Sequence, residues 1–529
     1  MRISPEPYRY LLDSHWSWIQ PLFNFVYRPA FTRDMMTGGQ YYSAALLNAM
    51  LSHSVRWCKA EPGMQELLAP FDEGKAFFQT AVTNLFDDIR NGQSKVPTVQ
   101  SLLLLSAQEC GRGNRTQAWL YSGMAFRLID DMGMCIDGQR YADSTQFSAE
   151  DVEIRNRLFW GCYLWDKLVS LYFGRSPMLQ NSHVSPPRVI MDDTAEIEIW
   201  MPHGLTTANY PPRQAHSISC FVHMCGLAEI LNQVLIHFYS PTCDLSSSSA
   251  LACALEQSSK MRAWWKDLPE HLKINVGALP QLAPPSHIVT LNCLYHTINI
   301  LLHRALLRLS SSNHPSAATS IDQNPLIQCI SSSTSIIALF DLFVRTFGDG
   351  HIVLSLAYSL YTATSILLLE LQASPTNPQR YTMERLSYCL SALERVKKTN
   401  PVIATASKLI RKELMVLGLD IHAHTASPSD PTGDVSTRPF HPPKFVPLST
   451  AHPPHNMPLV ANDLHSEQQT VVDGGEEQNM VFMDASYLDN GDVSGGLEYD
   501  LLDMSPSTFE AFTQVEPLST TMNPGFDFF

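Results

Sequence analysis

Between residues 13 and 420, apolar side chains recur every three or four positions in segment after segment, while period-2 alternation is scarce. Such spacing makes helices that each bury one side, so an all-α, multi-helix body is predicted. The stretch "SAEDVEIRNRLFWGCYLWDKLVSLYFG" is the clearest instance. Ser148 stands at the N-cap with Asp151 three positions on, a capping-box arrangement that also suits the helix dipole, and Gly174 ends the segment. Its apolar side runs Ile154, Leu158, Cys162, Trp165, Val169 and Tyr172.

"GRGNRTQAWLYSGMAFRLIDDMGM", Gly111 to Met134, reads as a second helix. Asn114 or Thr116 can cap it, and Leu120, Met124, Leu128 and Met132, widened by Tyr121, Ala125 and Ile129, are predicted to face the core before Gly133 stops it. Gly123 in its middle costs about 1 kcal/mol relative to Ala, which predicts close approach of a neighbouring element. "YYSAALLNAMLSHSVRW" puts Tyr42, Leu46, Ala49, Met50, His53 and Trp57 on one side. Further helices are predicted over 218–239, 249–267, 287–309, 326–347, 351–372 and 382–417. Segments 137–147, 184–215, 274–286, 309–324 and 373–380 carry Pro, Gly, Ser and Asn and read as surface connections. No repeat of solenoid length is present.

At 529 residues the chain exceeds what one core usually organises. Residues 1–420 form the helical domain in this reading. Nine prolines between Pro428 and Pro458 mark 421–460 as an extended linker, and 461–529 as an acidic tail, disordered when free. The charge divides the same way. No Lys or Arg follows Lys444, and residues 445–529 hold 14 Asp and Glu, so removing them from the formal net charge of −15 leaves −1 for residues 1–444. A near-neutral body offers no global attraction for nucleic acid. In the tail, Leu497, Leu501 and Met504 fall at i, i+4 and i+7 and Phe509 and Phe512 at i, i+3, with Tyr499 and Leu502 beside them. Bulky apolars at helical spacing among acids suit a segment that folds into a coactivator's groove, and a merely solubilising tail would not need them.

Catalytic and metal motifs are weak. "DDTAE", Asp192 to Glu196, resembles the magnesium-binding box of all-α terpene cyclases. Its nearest second box, "NDLHSEQQT" at 462–470, ends in Thr where a carboxylate is required, so a solvated acidic turn is the preferred reading over a Mg-dependent enzyme. Asp130 and Asp131 sit at the unfavourable end of their helix. His53, His223, His237, His296 and His303 are scattered, without the i, i+4 spacing of a paired metal site. No G-x-S-x-G, P-loop or G-x-G-x-x-G occurs. No catalytic, metal or cofactor residue is therefore assigned. Arg155, Arg157, Asp166 and Lys167 are read as pairing groups at the edge of the core. The 11 cysteines contain no C-x-x-C pair and read as reduced core residues; the N-terminus lacks a signal-peptide core. Ile352 to Leu369 is uncharged for 18 residues, but seven are Ser, Thr or Tyr, which favours a helix buried within the body over a membrane span.

"AWLYSGMAFRLIDDMGM", "RNRLFWGCYLWDKLVSLYFGRSPML" and "DDTAEIEIWMPHG", with "SHWSWIQPLFNFVYRPAF" before and "PPSHIVTLNCLYHTINILLHRALL" after, together resemble the middle homology region of fungal transcription factors. This is the fungal-specific, or xylanolytic-activator, regulatory domain of the binuclear zinc cluster family, and within it the chain looks most like nitrate-assimilation-type regulators. The resemblance covers about residues 12 to 415. It implies an all-α regulatory domain, nuclear action, a homo- or heterodimer and an acidic activation tail. Family members ordinarily carry a six-cysteine, two-zinc cluster upstream. Here the match starts within about a dozen residues of Met1, and no C-x-x-C or basic run precedes it. No zinc cluster and no cofactor is expected in this chain, so DNA would be reached indirectly or through a missing N-terminal module. A zinc-cluster-free modulator that heterodimerises with a complete family member is the alternative expectation.

Overall fold

The computed structural model describes residues 7–416 apart from 59–60, 62, 141–146, 207–208, 241–247, 312–323 and 374–379. The linker and tail expected over 421–529 lie outside the described residues. The first half consists of α1 (Pro7–Ser14), α2 (Gln20–Phe23), α3 (Arg28–Thr37), α4 (Ala44–Cys58), α5 (Met64–Leu68), α6 (Lys75–Arg90), α7 (Val96–Arg112), α8 (Arg115–Asp131) and α9 (Ala149–Phe173). A short α10 (Thr194–Ile197) and a two-residue antiparallel hairpin, β1 (Ile199–Trp200) with β2 (Arg213–Gln214), follow; Ile199 faces Gln214 and Trp200 faces Arg213. The second half is α11 (Ser217–Phe238), α12 (Ser248–Asp267), α13 (Ser286–Ser311), α14 (Pro325–Phe347), α15 (Leu354–Ala373), α16 (Arg380–Val396) and α17 (Ile403–Val416).

Helices adjacent in sequence pack as pairs, α7 on α8, α13 on α14 and α14 on α15, while α11 touches α9, α12 and α13 and so joins the two halves. The axis of this arrangement is α9. The Ser148 hydroxyl accepts from the Asp151 N–H at 3.1 Å, the Asp151 carboxylate accepts from the Ser148 N–H, and Gly174 closes the helix at φ +61°. From Asn156 to Phe173 α9 is buried all round, not on one stripe. Gly161 permits this, because a Cβ there would lie 3.1 Å from Phe25 Cδ1 and 3.3 Å from the Phe23 carbonyl oxygen. Three helices, Ser217–Phe238, Pro325–Phe347 and Leu354–Leu371, are long and apolar enough to cross a membrane by length and composition, but 72%, 61% and 83% of their most apolar windows are buried inside the protein. The uncharged run at 352–369 is thus a core helix.

Several expectations need correction. The buried side of α8 is Ala118, Ser122, Ala125, Phe126 and Ile129, whereas Leu120 is 57% exposed. Of the predicted stripe, Ala125 and Ile129 are buried and Tyr121, Met124, Leu128 and Met132 pack half-buried against the core, so the departure is confined to Leu120. A Cβ added at Gly123 would meet nothing within 4 Å, so no neighbour explains this glycine. The helix expected over 382–417 is two, α16 and α17, broken at Asn400-Pro401, where proline disfavours helical geometry in the residue before it. Segment 184–215 is not purely a surface connection. It inserts Trp200 and Tyr210 into an aromatic cluster with Trp18 and Phe347, and the Trp200 indole donates to the Ser17 carbonyl at 2.9 Å.

Asp166 and Lys167 lie within the core and not at its edge. Both side chains are fully buried, with Lys167 Nζ 2.7 Å from Asp166 Oδ2 and 3.9 Å from the Tyr163 ring centre. Lys167 also donates to the Leu179 carbonyl, and Asp166 accepts from the Met178 and Leu179 N–H groups at 3.1 and 2.9 Å. The pair ties the chain leaving α9 back onto that helix. Burial pulls the Lys167 ammonium below its ordinary pKa, opposed by the Asp166 charge.

Candidate functional site

Three of the stretches singled out in the sequence, 14–31, 155–179 and 192–204, meet in one cleft of ≈ 350 Å³ between α2, α3, α9, α10 and the start of α11. Trp16, Pro21, Val26, Tyr27 and Ile218 give it apolar walls, and Asn24, Arg28, Arg157, Asp192 and Glu198 give it polar ones. Arg157 organises it. Its Nε donates to Glu153 Oε1 at 2.6 Å, Nη1 to Asn24 Oδ1 at 3.1 Å and Nη2 to the Asp192 carbonyl at 3.0 Å, with the Tyr27 ring centre 5.0 Å away. Both Arg157 and Glu153 have side chains only 4% exposed. Asn24 holds a left-handed conformation at φ +50°, which asparagine tolerates better than most residues. The i, i+4 spacing of Glu153 and Arg157 is visible in the sequence; their burial is not, because it depends on Asn24 and Asp192 arriving from distant segments.

The "DDTAE" stretch serves structure. Asp192 Oδ1 accepts from the Thr194 N–H at 3.0 Å and from its hydroxyl at 2.6 Å. Burial alone would raise the Asp192 carboxyl, but hydrogen bonds from Thr194 and Tyr27, together with the Arg157 charge, hold it below the usual range. Burial and the Asp192 hydrogen bond push the Tyr27 phenol up to about 12. Glu196 receives the Ile218 and Ser219 N–H groups at 3.1 and 2.9 Å and the Ser219 hydroxyl at 2.8 Å, so it caps α11. His216, at φ +51°, places Nδ1 3.0 Å from the same carboxylate and stacks on His271 at 4.1 Å. Only Asp193 of the two aspartates behaves as the solvated turn expected from sequence. Asp192 and Glu196 thus each hold local backbone in place.

Arg28 pairs with Glu198 at 3.6 Å, so the charged groups of the cleft are matched to one another. The arrangement suits recognition of an amphipathic surface or molecule; it presents no activated nucleophile or free base among the described residues. Among the scattered histidines, His223 and His303 bond the carbonyls of Ser219 and Asn299 one turn back at 2.7 and 2.8 Å, a structural use. The residues proposed from sequence to contact coactivators, Leu497, Tyr499, Leu501, Leu502, Met504, Phe509 and Phe512, lie outside the described residues.

Residues 12–266 match the family described as "Fungal specific transcription factor domain". The chain is 30% identical over 376 residues to the nitrogen assimilation transcription factor nirA of Emericella nidulans, covering 68% of this chain and 40% of that protein. It is 25% identical over 413 residues to the nitrogen assimilation transcription factor nit-4 of Neurospora crassa, covering 75% and 36%. A similar relative is the uncharacterized transcriptional regulatory protein C1683.13c of Schizosaccharomyces pombe, 26% identical over 400 residues, covering 73% and 61%. The chain thus spans about 40% of nirA and less of nit-4. No solved structure matches it.

Proposed function

Because residues 12–266 belong to the fungal specific transcription factor domain family, we propose that this protein is a nuclear regulator of transcription whose helical body controls an acidic, coactivator-recruiting tail. The observation that carries this reading is the family match, supported by relatives that are named transcription factors over most of the chain's length. The family and its relatives point away from an enzyme. The near-neutral charge of residues 1–444 supports DNA contact through a further module or a partner subunit and not through the face of the body. The alternation of acids with Leu501, Phe509 and Phe512 supports the tail as the output segment.

A reporter assay with residues 461–529 fused to a heterologous DNA-binding module tests this. Expression well above the module alone is expected, with a severalfold fall on combining Leu501→Ala and Phe512→Ala. Background expression from the intact tail would overturn the assignment of output to this segment.

A further inference from the structure

Cys58, Glu61 and His203 offer three metal-ligating atoms that all lie within 4.8 Å of one another. They come from two regions far apart in sequence. Cys58 ends α4, and Glu61 stands one turn on, its N–H donating to the Cys58 carbonyl at 2.9 Å. His203 follows β1 in the hairpin loop. The His203 backbone is anchored: its N–H donates to the Ser17 hydroxyl at 3.0 Å and its carbonyl accepts from the Trp18 indole at 3.2 Å. Next to it, Gly204 at φ +87° brings its backbone so near that a Cβ would lie 3.1 Å from Glu61 Oε1.

The convergence leaves polar atoms unsatisfied. Glu61 Oε1 and His203 Nδ1 are both buried with no hydrogen-bond partner among the described residues, which is ordinarily unfavourable for a polar atom. Tyr10 donates its hydroxyl to the other carboxylate oxygen, Oε2, and its ring packs edge-on to His203 at 4.3 Å. That is the outer-shell support expected around a ligating carboxylate, with Oε1 left facing inward. Cys58 is fully buried.

We propose that Cys58, Glu61 and His203 form a zinc-class binding site that staples the end of α4 to the β1–β2 hairpin. One thiolate, one carboxylate and one neutral imidazole balance a divalent cation, so the assembled site carries no net buried charge. A sulfur, nitrogen and oxygen donor set selects zinc or cobalt over magnesium or calcium. Tetrahedral bonds of about 2.0–2.3 Å place ligand atoms roughly 3.3–3.8 Å apart, within the 4.8 Å that bounds the three atoms here. On binding, the Cys58 S–H bond breaks, the metal–sulfur bond forms and the proton leaves to solvent, so affinity rises with pH.

The site is distinct from the cleft around Arg157 and from Glu196, whose oxygens are used to cap α11. The test is titration of the chelator-stripped full chain with Co²⁺, followed by absorption, with circular dichroism as a check of folding. One equivalent and a thiolate-to-cobalt charge-transfer band are expected. Cys58→Ser should abolish that band, His203→Gln should weaken binding by about 100-fold or more, and His216→Asn should change neither. Zinc should also raise the melting temperature of the wild-type chain. A folded wild-type chain that shows no thiolate band, or a band that survives in Cys58→Ser, overturns the site, and so does binding that depends on His216.

Discussion

Lys167 shows how much of the fold's energetics rests on single buried charges. Its ammonium and the Asp166 carboxylate are both fully buried, and the carboxylate also serves two backbone N–H groups. Lys167→Met removes the cation and leaves that carboxylate uncompensated, which is expected to cost about 3–5 kcal/mol in urea denaturation. Adding Asp166→Asn should recover part of the loss, because the amide carries no charge yet still accepts a hydrogen bond; a double variant as unstable as the single one would contradict this. Histidines give the residue-scale pH dependence. His15 and His287 are fully buried, and desolvation lowers them to about 3 and about 4. Below the unfolded value of about 6.5 the unfolded chain takes up protons that the folded chain refuses, so stability falls as pH drops, by up to about 1.4 kcal/mol per pH unit for each group. The loss continues down to about pH 4 for His287 and about pH 3 for His15. Melting temperatures from pH 7 to 5 should decline accordingly, and His15→Phe should flatten the slope.

Two glycines of similar sequence context separate at the scale of the element. Both sit inside helices, and each costs about 1 kcal/mol in propensity relative to Ala. Gly123 of α8 faces open space, so Gly123→Ala should raise the melting temperature. Gly161 of α9 lies against the Phe23 carbonyl and the Phe25 ring, so Gly161→Ala should lower it, through overpacking of about 1–3 kcal/mol that outweighs the propensity gain. Equal shifts for the two variants in a thermal melt would contradict that packing. Sequence pattern alone points to the wrong one of the two for close approach, because both show only a glycine within an apolar pattern. The caps of α9 are readable, since Ser148, Asp151 and Gly174 act within a few residues of themselves. The face of α8 is readable too, except at its start, where Leu120 is 57% exposed while Ala118 and Ser122 are buried. The break at Pro401 lies in plain view; the added information is that Asn400 there donates to the Ile352 carbonyl at 2.8 Å and accepts from Arg56 at 2.9 Å, fixing where α17 turns back.

For the whole molecule, the sequence divides by charge. Residues 1–444 carry −1 and residues 445–529 carry −14, so the acidity is confined to one end. Helical periodicity makes the body legible as an all-α domain, whereas its cleft is legible only as separate motifs, because Arg157, Asn24 and Asp192 are brought together by the fold and not by spacing. Among the described residues, α17 completes its side of the core. Ile403, Ala406, Ile410 and Leu414 of α17 are buried against α15 and α16, while Met415 is 80% exposed at its end. Residues 1–420 alone should therefore keep the helical circular dichroism of the body and a melting temperature within a few degrees of the full chain. Ending the chain at residue 400 should not, because losing α17 uncovers the apolar sides of α15 and α16. If the tail were itself a packed layer of the bundle, the 1–420 chain would show the same loss of cooperativity as the 1–400 chain. A difference between the two truncations in the sharpness of the melt thus separates a self-sufficient body with a detachable acidic end from a single structure that needs both.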